Sequence, residues 1–171
     1  MASGKPACII MAAGSSSRFG GDKLAAEYEG RSLLRRALEV VPGGLFSPVI
    51  LVTARPDGPR LAEEFGFALV RNDAPEEGVS RTIRLGLEAA GDCPGALFLV
   101  ADQPLLRRET VARLAGAWLA RPEQIVCAAH RGARGNPCLF PARFFPELLA
   151  LTSRAFRLYA LSFVIMGFNV Y

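Results

Sequence analysis

The sequence predicts an α/β protein of three layers, with a mostly parallel sheet between two layers of helices. Three observations carry that reading. Short apolar runs of strand length alternate with segments whose apolar residues fall at helical spacing. The run Ala96-Leu97-Phe98-Leu99-Val100 is apolar throughout, as a central parallel strand covered on both faces must be. The first apolar run breaks directly into a glycine- and serine-rich loop, the way an open α/β sheet ends a strand beside a ligand. Such alternation argues right-handed crossovers between parallel neighbours.

In chain order, Ala7 to Met11 is the first, buried strand. It gives way to Ala12, Ala13, Gly14, three serines from Ser15, Arg18, Phe19, Gly20, Gly21, Asp22 and Lys23. Small residues let a ligand approach the backbone, and glycine allows turns that aim successive N–H groups inward. Arg18 and Lys23 put positive charge on either side of Gly20-Gly21. Glu27 to Arg31 reads as a turn with Gly30 at its tip. Ser32 is placed to cap a helix whose stripe is Leu34, Ala37, Leu38 and Val41, ended by Pro42-Gly43-Gly44. Pro48 to Thr53 is a second strand, and Asp57 can cap a short helix to Phe65. Phe67 to Val70 is a third strand, closing at Arg71-Asn72.

The polar loop Asp73 to Gly78 leads to Ser80, a suitable cap for a helix over Arg81 to Ala90 with Ile83, Leu87 and Ala90 inward. Gly95 to Ala101 is the fourth strand. Glu109 to Ala120 is a helix burying Val111, Leu114, Ala115 and Trp118, and Gln124 to Ala129 is a fifth strand. Beyond it the alternation lapses: His130 to Pro137 reads as a basic, glycine-punctuated loop, followed by Cys138-Leu139-Phe140 and a helix near Ala142 to Leu151.

At 171 residues the chain suits one domain, residues 1–171, with an atypical tail from about 153. Hydrophobic residues make up 51% and charged residues 21%, the profile of a folded globular protein. The net charge of +4 comes from scattered arginines with no aromatic-interleaved basic cluster, so a nucleic-acid partner is not expected. Arginine suits a polyanionic small molecule equally well. No signal peptide precedes the first strand, which makes the cytoplasm the expected compartment. The four cysteines lack C-x-x-C spacing, and Cys127, His130 and Cys138 offer three metal ligands without a fourth. Cys8 and Cys127 therefore read as small buried hydrophobes.

Asp102 follows the fourth strand directly and faces the same crevice as the Gly14-to-Lys23 loop. A hard carboxylate there suits magnesium on a phosphorylated ligand, and it equally suits a turn cap before Pro104. Asn72, Gly78 and Ser80 could meet a base edge or ribose, or could be plain turn and cap residues. Arg131 and Arg134 could grip a phosphate or simply be solvated. The single histidine, His130, receives no catalytic role, because attack by an anionic phosphate oxygen needs little proton transfer.

The loop is neither a Walker A sequence, since Lys23 precedes Leu24, nor a G-x-G-x-x-G fingerprint. It reads A-A-G-x-S-x-R-x-G-x-x-K. In this it resembles the signature of the nucleotidyltransferases that include the molybdopterin cytidylyl- and guanylyltransferases, within the MobA-like NTP transferase superfamily. Asp102-Gln103-Pro104 resembles the metal-binding motif of the cytidylyltransferase branch. Asn72 with Gly78 and Ser80 is similar to the family's nucleotide-pocket stretch. Gly135-Asn136-Pro137-Cys138-Leu139-Phe140 resembles the G-x-P-x-x-F element beside the acceptor. The resemblance spans Pro6 to about Thr152.

It implies a Rossmann-like, GT-A-like nucleotidyltransferase fold and transfer of CMP from CTP to molybdenum-molybdopterin, releasing pyrophosphate. Ala12, Ala13, Gly14, Ser15, Ser16, Gly20 and Lys23 would hold the triphosphate, with Arg18 and Lys23 neutralising charge and Asp102 holding Mg²⁺. Ala12-Ala13-Gly14, where guanylyltransferases carry Ala-Gly-Gly, points to cytosine. Arg131, Arg134, Asn136 and Pro137 would adjoin the acceptor, and a molybdoenzyme or its chaperone would receive the product.

The tail departs from the family pattern. After Leu151-Thr152 no G-D-x-G-like turn follows, and no acidic residue occurs after Glu147, so the family's second metal-site aspartate is missing. The apolar stretch from Leu158 to Tyr171 is shorter than the roughly 20 residues a membrane span needs.

Overall fold

A computed structural model describes residues 4–14, 22–130 and 132–150. Strand β1 (Ala7–Ala12) is buried at every residue. A short hairpin, β2 (Glu27–Tyr28) and β3 (Arg31–Ser32), occupies the expected turn, with Glu29 and Gly30 both at positive φ at its tip. There follow α1 (Leu33–Glu39), β4 (Val49–Thr53), α2 (Gly58–Phe65), β5 (Ala68–Arg71), α3 (Val79–Ala90), β6 (Gly95–Val100) and α4 (Arg108–Ala120). The described chain closes with β7 (Val126–His130), β8 (Ala133–Pro141) and α5 (Phe145–Leu149).

Among the described residues, six strands form the main sheet in the order β5-β4-β1-β6-β8-β7. The first four run parallel, while β8 pairs antiparallel with both β6 and β7. The mostly parallel, three-layer expectation therefore holds, and the antiparallel hairpin occupies one side of the sheet. Residue alternation along β1 explains the layers. Cys8, Ile10 and Ala12 face α1, α2 and α4 in one core, and Ala7, Ile9 and Met11 face α3 and α5 in the other.

Several expected boundaries shift. Ser32 does cap α1, its hydroxyl accepting from the Arg35 amide at 3.2 Å. Asp57 sits at the N-cap of α2, yet its carboxylate binds Arg55 and makes no cap bond. Helix α3 starts at Val79, so Ser80 is no cap: Gly78, at φ 88°, takes that position and Ser80 lies buried in the first turn. The expected loop across Ala133 to Pro137 is strand. The eight residues His130 to Pro137 read as a loop because glycine and proline are uncommon in strands, but pairing with β7 (Ala128 with Gly135, Ala129 with Arg134, His130 with Ala133) overrides local preference. The last helix is a 3₁₀ turn over Ala142–Phe144 followed by the shorter α5.

Helix α3 crosses β1 closely enough that only glycine fits at Gly86. A Cβ built there would lie 2.4 Å from Ile9 Cγ2 and 3.2 Å from its Cδ1. Ile9 is fully buried and has nowhere to move. Gly86→Ala is expected to destabilise the fold by about 1–3 kcal/mol despite alanine's better helix propensity. Urea denaturation checks this, and an unchanged midpoint would mean that the helix can lift from the sheet without loss.

Candidate active site

The carboxyl ends of the four parallel strands share one edge, and the chemistry-bearing residues collect there. Ala12 leads to buried Ala13 and exposed Gly14 at the end of β1. Two bonds hold this end in place: the Thr53 hydroxyl donates to the Ala12 carbonyl at 3.0 Å, and the Ala101 amide donates to the Met11 carbonyl at 3.2 Å. Ser15, Ser16, Arg18 and Gly20 lie outside the described residues. The chain returns at Asp22, which caps a 3₁₀ turn over Lys23–Ala25 by accepting from the Leu24 amide.

That turn delivers Lys23 to Asp102. Lys23 Nζ donates to Asp102 Oδ2 at 2.8 Å, across 79 residues of sequence. The two side chains are 39% and 46% exposed, so the pair opens to solvent and adds only about 0–1 kcal/mol of stability. Its consequence is placement: an ammonium and a carboxylate stand side by side at the strand ends, accessible to a polyanion and its cation.

Arg55, just beyond β4, joins the loop to the sheet. It forms a fork on Asp57, with Nε 2.8 Å from Oδ1 and Nη2 3.1 Å from Oδ2, and its Nη1 donates to Asp22. These hydrogen bonds hold the Asp57 carboxyl below its ordinary range, against the opposing effect of partial burial. Sequence reasoning assigned no role to Arg55, Asp22 or Thr53. The available signal was an Arg-Pro-Asp following a strand at the ligand-bearing edge.

Asn72, at the end of β5, is fully buried. Its Oδ1 accepts from Arg81 Nε at 3.0 Å and from the Ala74 amide at 3.2 Å, while Nδ2 donates to Thr82 Oγ1 at 3.2 Å. Asn72 thus fixes the loop that runs to Gly78 and the start of α3. The expected role at a base edge meets a carboxamide already turned to protein partners.

The antiparallel hairpin brings the fourth motif to the same edge. The β6–β8 pairing stops at Phe98–Cys138, and Asn136, two residues before it in β8, meets the turn that follows β6. Gln103 Nε2 donates to the Asn136 carbonyl at 3.2 Å, while Gln103 Oε1 is buried with no partner among the described residues. Asn136 precedes a cis bond to buried Pro137. Arg134 lies in β8, paired with Ala129, and Arg131 is outside the described residues. Among the described residues no group of three or more His, Cys, Asp or Glu side chains is placed to hold a metal, and no helix is long and apolar enough to cross a membrane.

A mostly parallel sheet flanked by helices, with its polar residues gathered at the strands' carboxyl edge, defines a nucleotidyltransferase-type α/β fold of the GT-A-like kind. The chain belongs to the family of MobA-like NTP transferase domains, whose pattern it matches over residues 8–162. Solved structures share the fold at low sequence identity. Rv0371c from Mycobacterium tuberculosis, in complex with manganese, superposes with a TM-score of 0.75 at 19% identity, over 98% of this chain and 86% of that one. A nucleotidyl transferase from Methanothermobacter thermautotrophicus gives 0.72 at 20% identity, over 94% and 84%. The 4-diphosphocytidyl-2C-methyl-D-erythritol synthase of Anaerococcus prevotii gives 0.72 at 16% identity, over 99% and 88%. No curated protein matches the sequence.

Proposed function

We propose that this chain is a nucleotidyltransferase that moves CMP from CTP to the phosphate of molybdenum-molybdopterin and releases pyrophosphate. The observation that carries the reading is the Lys23–Asp102 pair, which joins the end of the signature loop to the carboxylate after β6. Membership of the MobA-like NTP transferase family supports the reaction class. The motifs around Ala12-Ala13-Gly14 and Asp102-Gln103-Pro104 support cytidine and the acceptor.

The acceptor's phosphate oxygen attacks the α-phosphorus in line, a P–O bond to the attacking oxygen forms, and the bond to pyrophosphate breaks. The attacking oxygen is already anionic, so the protein's contribution is positioning and charge neutralisation. Gly14, with Ala12 and Ala13 behind it, permits close backbone approach, and Ser15, Ser16 and Gly20 are assigned to the same phosphates from the sequence motif. Lys23 and Arg18 offset the charge that accumulates on the departing phosphates. Gly78 and Ser80, at the N-cap and in the first turn of α3, would meet the nucleotide, and Asn72 holds the loop that leads to them. Arg134, Asn136 and Pro137 would adjoin the acceptor, with Arg131 assigned there from its sequence position.

Asp102 fits magnesium: its oxygens are hard, half-exposed and beside the phosphate-binding lysine, and Mg²⁺ typically takes one or two carboxylates plus substrate phosphates. An ion held by Asp102 would supply neutralisation of phosphate charge. That the mycobacterial structure was solved in complex with manganese supports use of a divalent cation.

Calorimetric titration with Mg·CTP, Mg·GTP and Mg·ATP in one buffer tests the reading. Preference for CTP is expected, followed by pyrophosphate release when acceptor is added. Binding to none of the three would overturn the loop assignment. CTP preference with turnover on a sugar or alditol phosphate, in place of molybdopterin, would move the acceptor while keeping the chemistry.

A further inference from the structure

Strands β7 and β8 bring two cysteines face to face. Cys127 and Cys138 are direct register partners in the antiparallel ladder. Residues so opposed project to the same face of a sheet, with Cα atoms about 4.5–5.5 Å apart. That separation lies inside the roughly 4.4–6.8 Å over which a disulfide closes. Both thiols are free, Cys127 buried and Cys138 partly open to solvent.

We propose that Cys127 and Cys138 form an oxidisable dithiol, which a small peroxide converts to a disulfide that staples β7 to β8. The bond would sit at a sensitive place. The β7–β8 register shifts between Cys127 and Ala128, so that Ala128 opposes Gly135 and the segment Asn136-Pro137 bulges next to the pair. The Asn136 carbonyl in that bulge receives Gln103 from the turn that carries Asp102. A staple at Cys138 therefore restrains the backbone beside the acceptor side of the site, a consequence that rests on the function proposed above.

The local chemistry divides the two roles. The neighbouring Cys138 thiol, helped by the Arg134 charge, holds the Cys127 thiol below its ordinary range against the effect of burial. Cys138 is pushed up by the same contact and by burial, and its sulfur also lies 3.0 Å from the Gly135 carbonyl. Burial pushes Cys8 and Cys93 up as well, which makes them inert internal controls. Cys127 thiolate attacks one peroxide oxygen, the O–O bond breaks, and hydroxide leaves to become water. The Cys138 thiol then loses its proton and attacks the Cys127 sulfur, expelling the sulfenic hydroxyl as a second water. Two thiols and one hydrogen peroxide thus give one disulfide and two waters.

The experiment treats the full chain with hydrogen peroxide, then counts thiols after unfolding and maps peptides by mass. The expected result is a fall from four thiols to two, with a Cys127–Cys138 cross-linked peptide lighter by two hydrogens, reversed by dithiothreitol. Amide exchange over 133–138 should slow in the oxidised protein. Persistence of four thiols, over-oxidation of Cys127 without a cross-link, or a cross-link through Cys8 or Cys93 would overturn the proposal. So would a disulfide that leaves amide exchange in β8 unchanged. None of these readouts needs turnover, so a failure of the proposed reaction is told apart from a failure of the dithiol.

Discussion

Asp102→Asn is expected to lower CTP-dependent pyrophosphate release at least about 100-fold, since loss of an outer-sphere partner alone costs about 10- to 100-fold at metal sites. The substitution keeps the shape and removes the charge that a hard cation needs. It also separates function from folding. The Lys23–Asp102 pair is half-exposed, so its loss should leave the denaturation midpoint nearly unchanged. Release measured at saturating CTP and magnesium checks the prediction. A loss of only a few-fold would move the cation to another group and return Asp102 to the role of a turn residue before Pro104.

Lys23→Ala should weaken triphosphate binding by about 10- to 100-fold, the equivalent of one charge-assisted hydrogen bond of roughly 1.5–3 kcal/mol. CMP binding should change little, because the ammonium is assigned to the outer phosphates and not to the base or ribose. Lys23→Arg should recover part of the loss, as a planar fork keeps the charge while displacing its centre. Paired titrations with CTP and CMP decide the matter: equal losses for both nucleotides would remove Lys23 from the phosphates. The Lys23 turn is held by Asp22, which Arg55 also grips, so the position of the charge depends on contacts from β4 and not on the loop alone.

Particular residues show why some of this was legible in advance. Strand β6 could be read from five consecutive apolar residues, because burial on both faces leaves no polar position in a central parallel strand. The Ser32 cap could be read because capping is a local bond between neighbours. Ser80 misled for the same reason. Serine before a helical stripe looks like a cap, but Gly78, at a positive φ that glycine adopts without strain, set the start of α3 two residues earlier. Residues 133–137 misled because their glycine and proline argue against a strand, whereas folding back on β7 offered a ladder that no local preference encodes.

The sequence by itself determined the α/β class, the elements along the parallel half of the sheet and the motifs that belong at its carboxyl edge. Each of these rests on periodicity or on short-range spacing, which a linear chain displays directly. Only the tertiary structure decided that Lys23 meets Asp102, that Arg55 ties Asp22 to Asp57, that Asn72 turns its carboxamide inward, and that Cys127 faces Cys138. Most of these contacts join residues separated by turns or whole elements, and their geometry follows from strand order and register. Those are properties of how the elements pack, because burial against a shared core, and not the preference of any one segment, selects them.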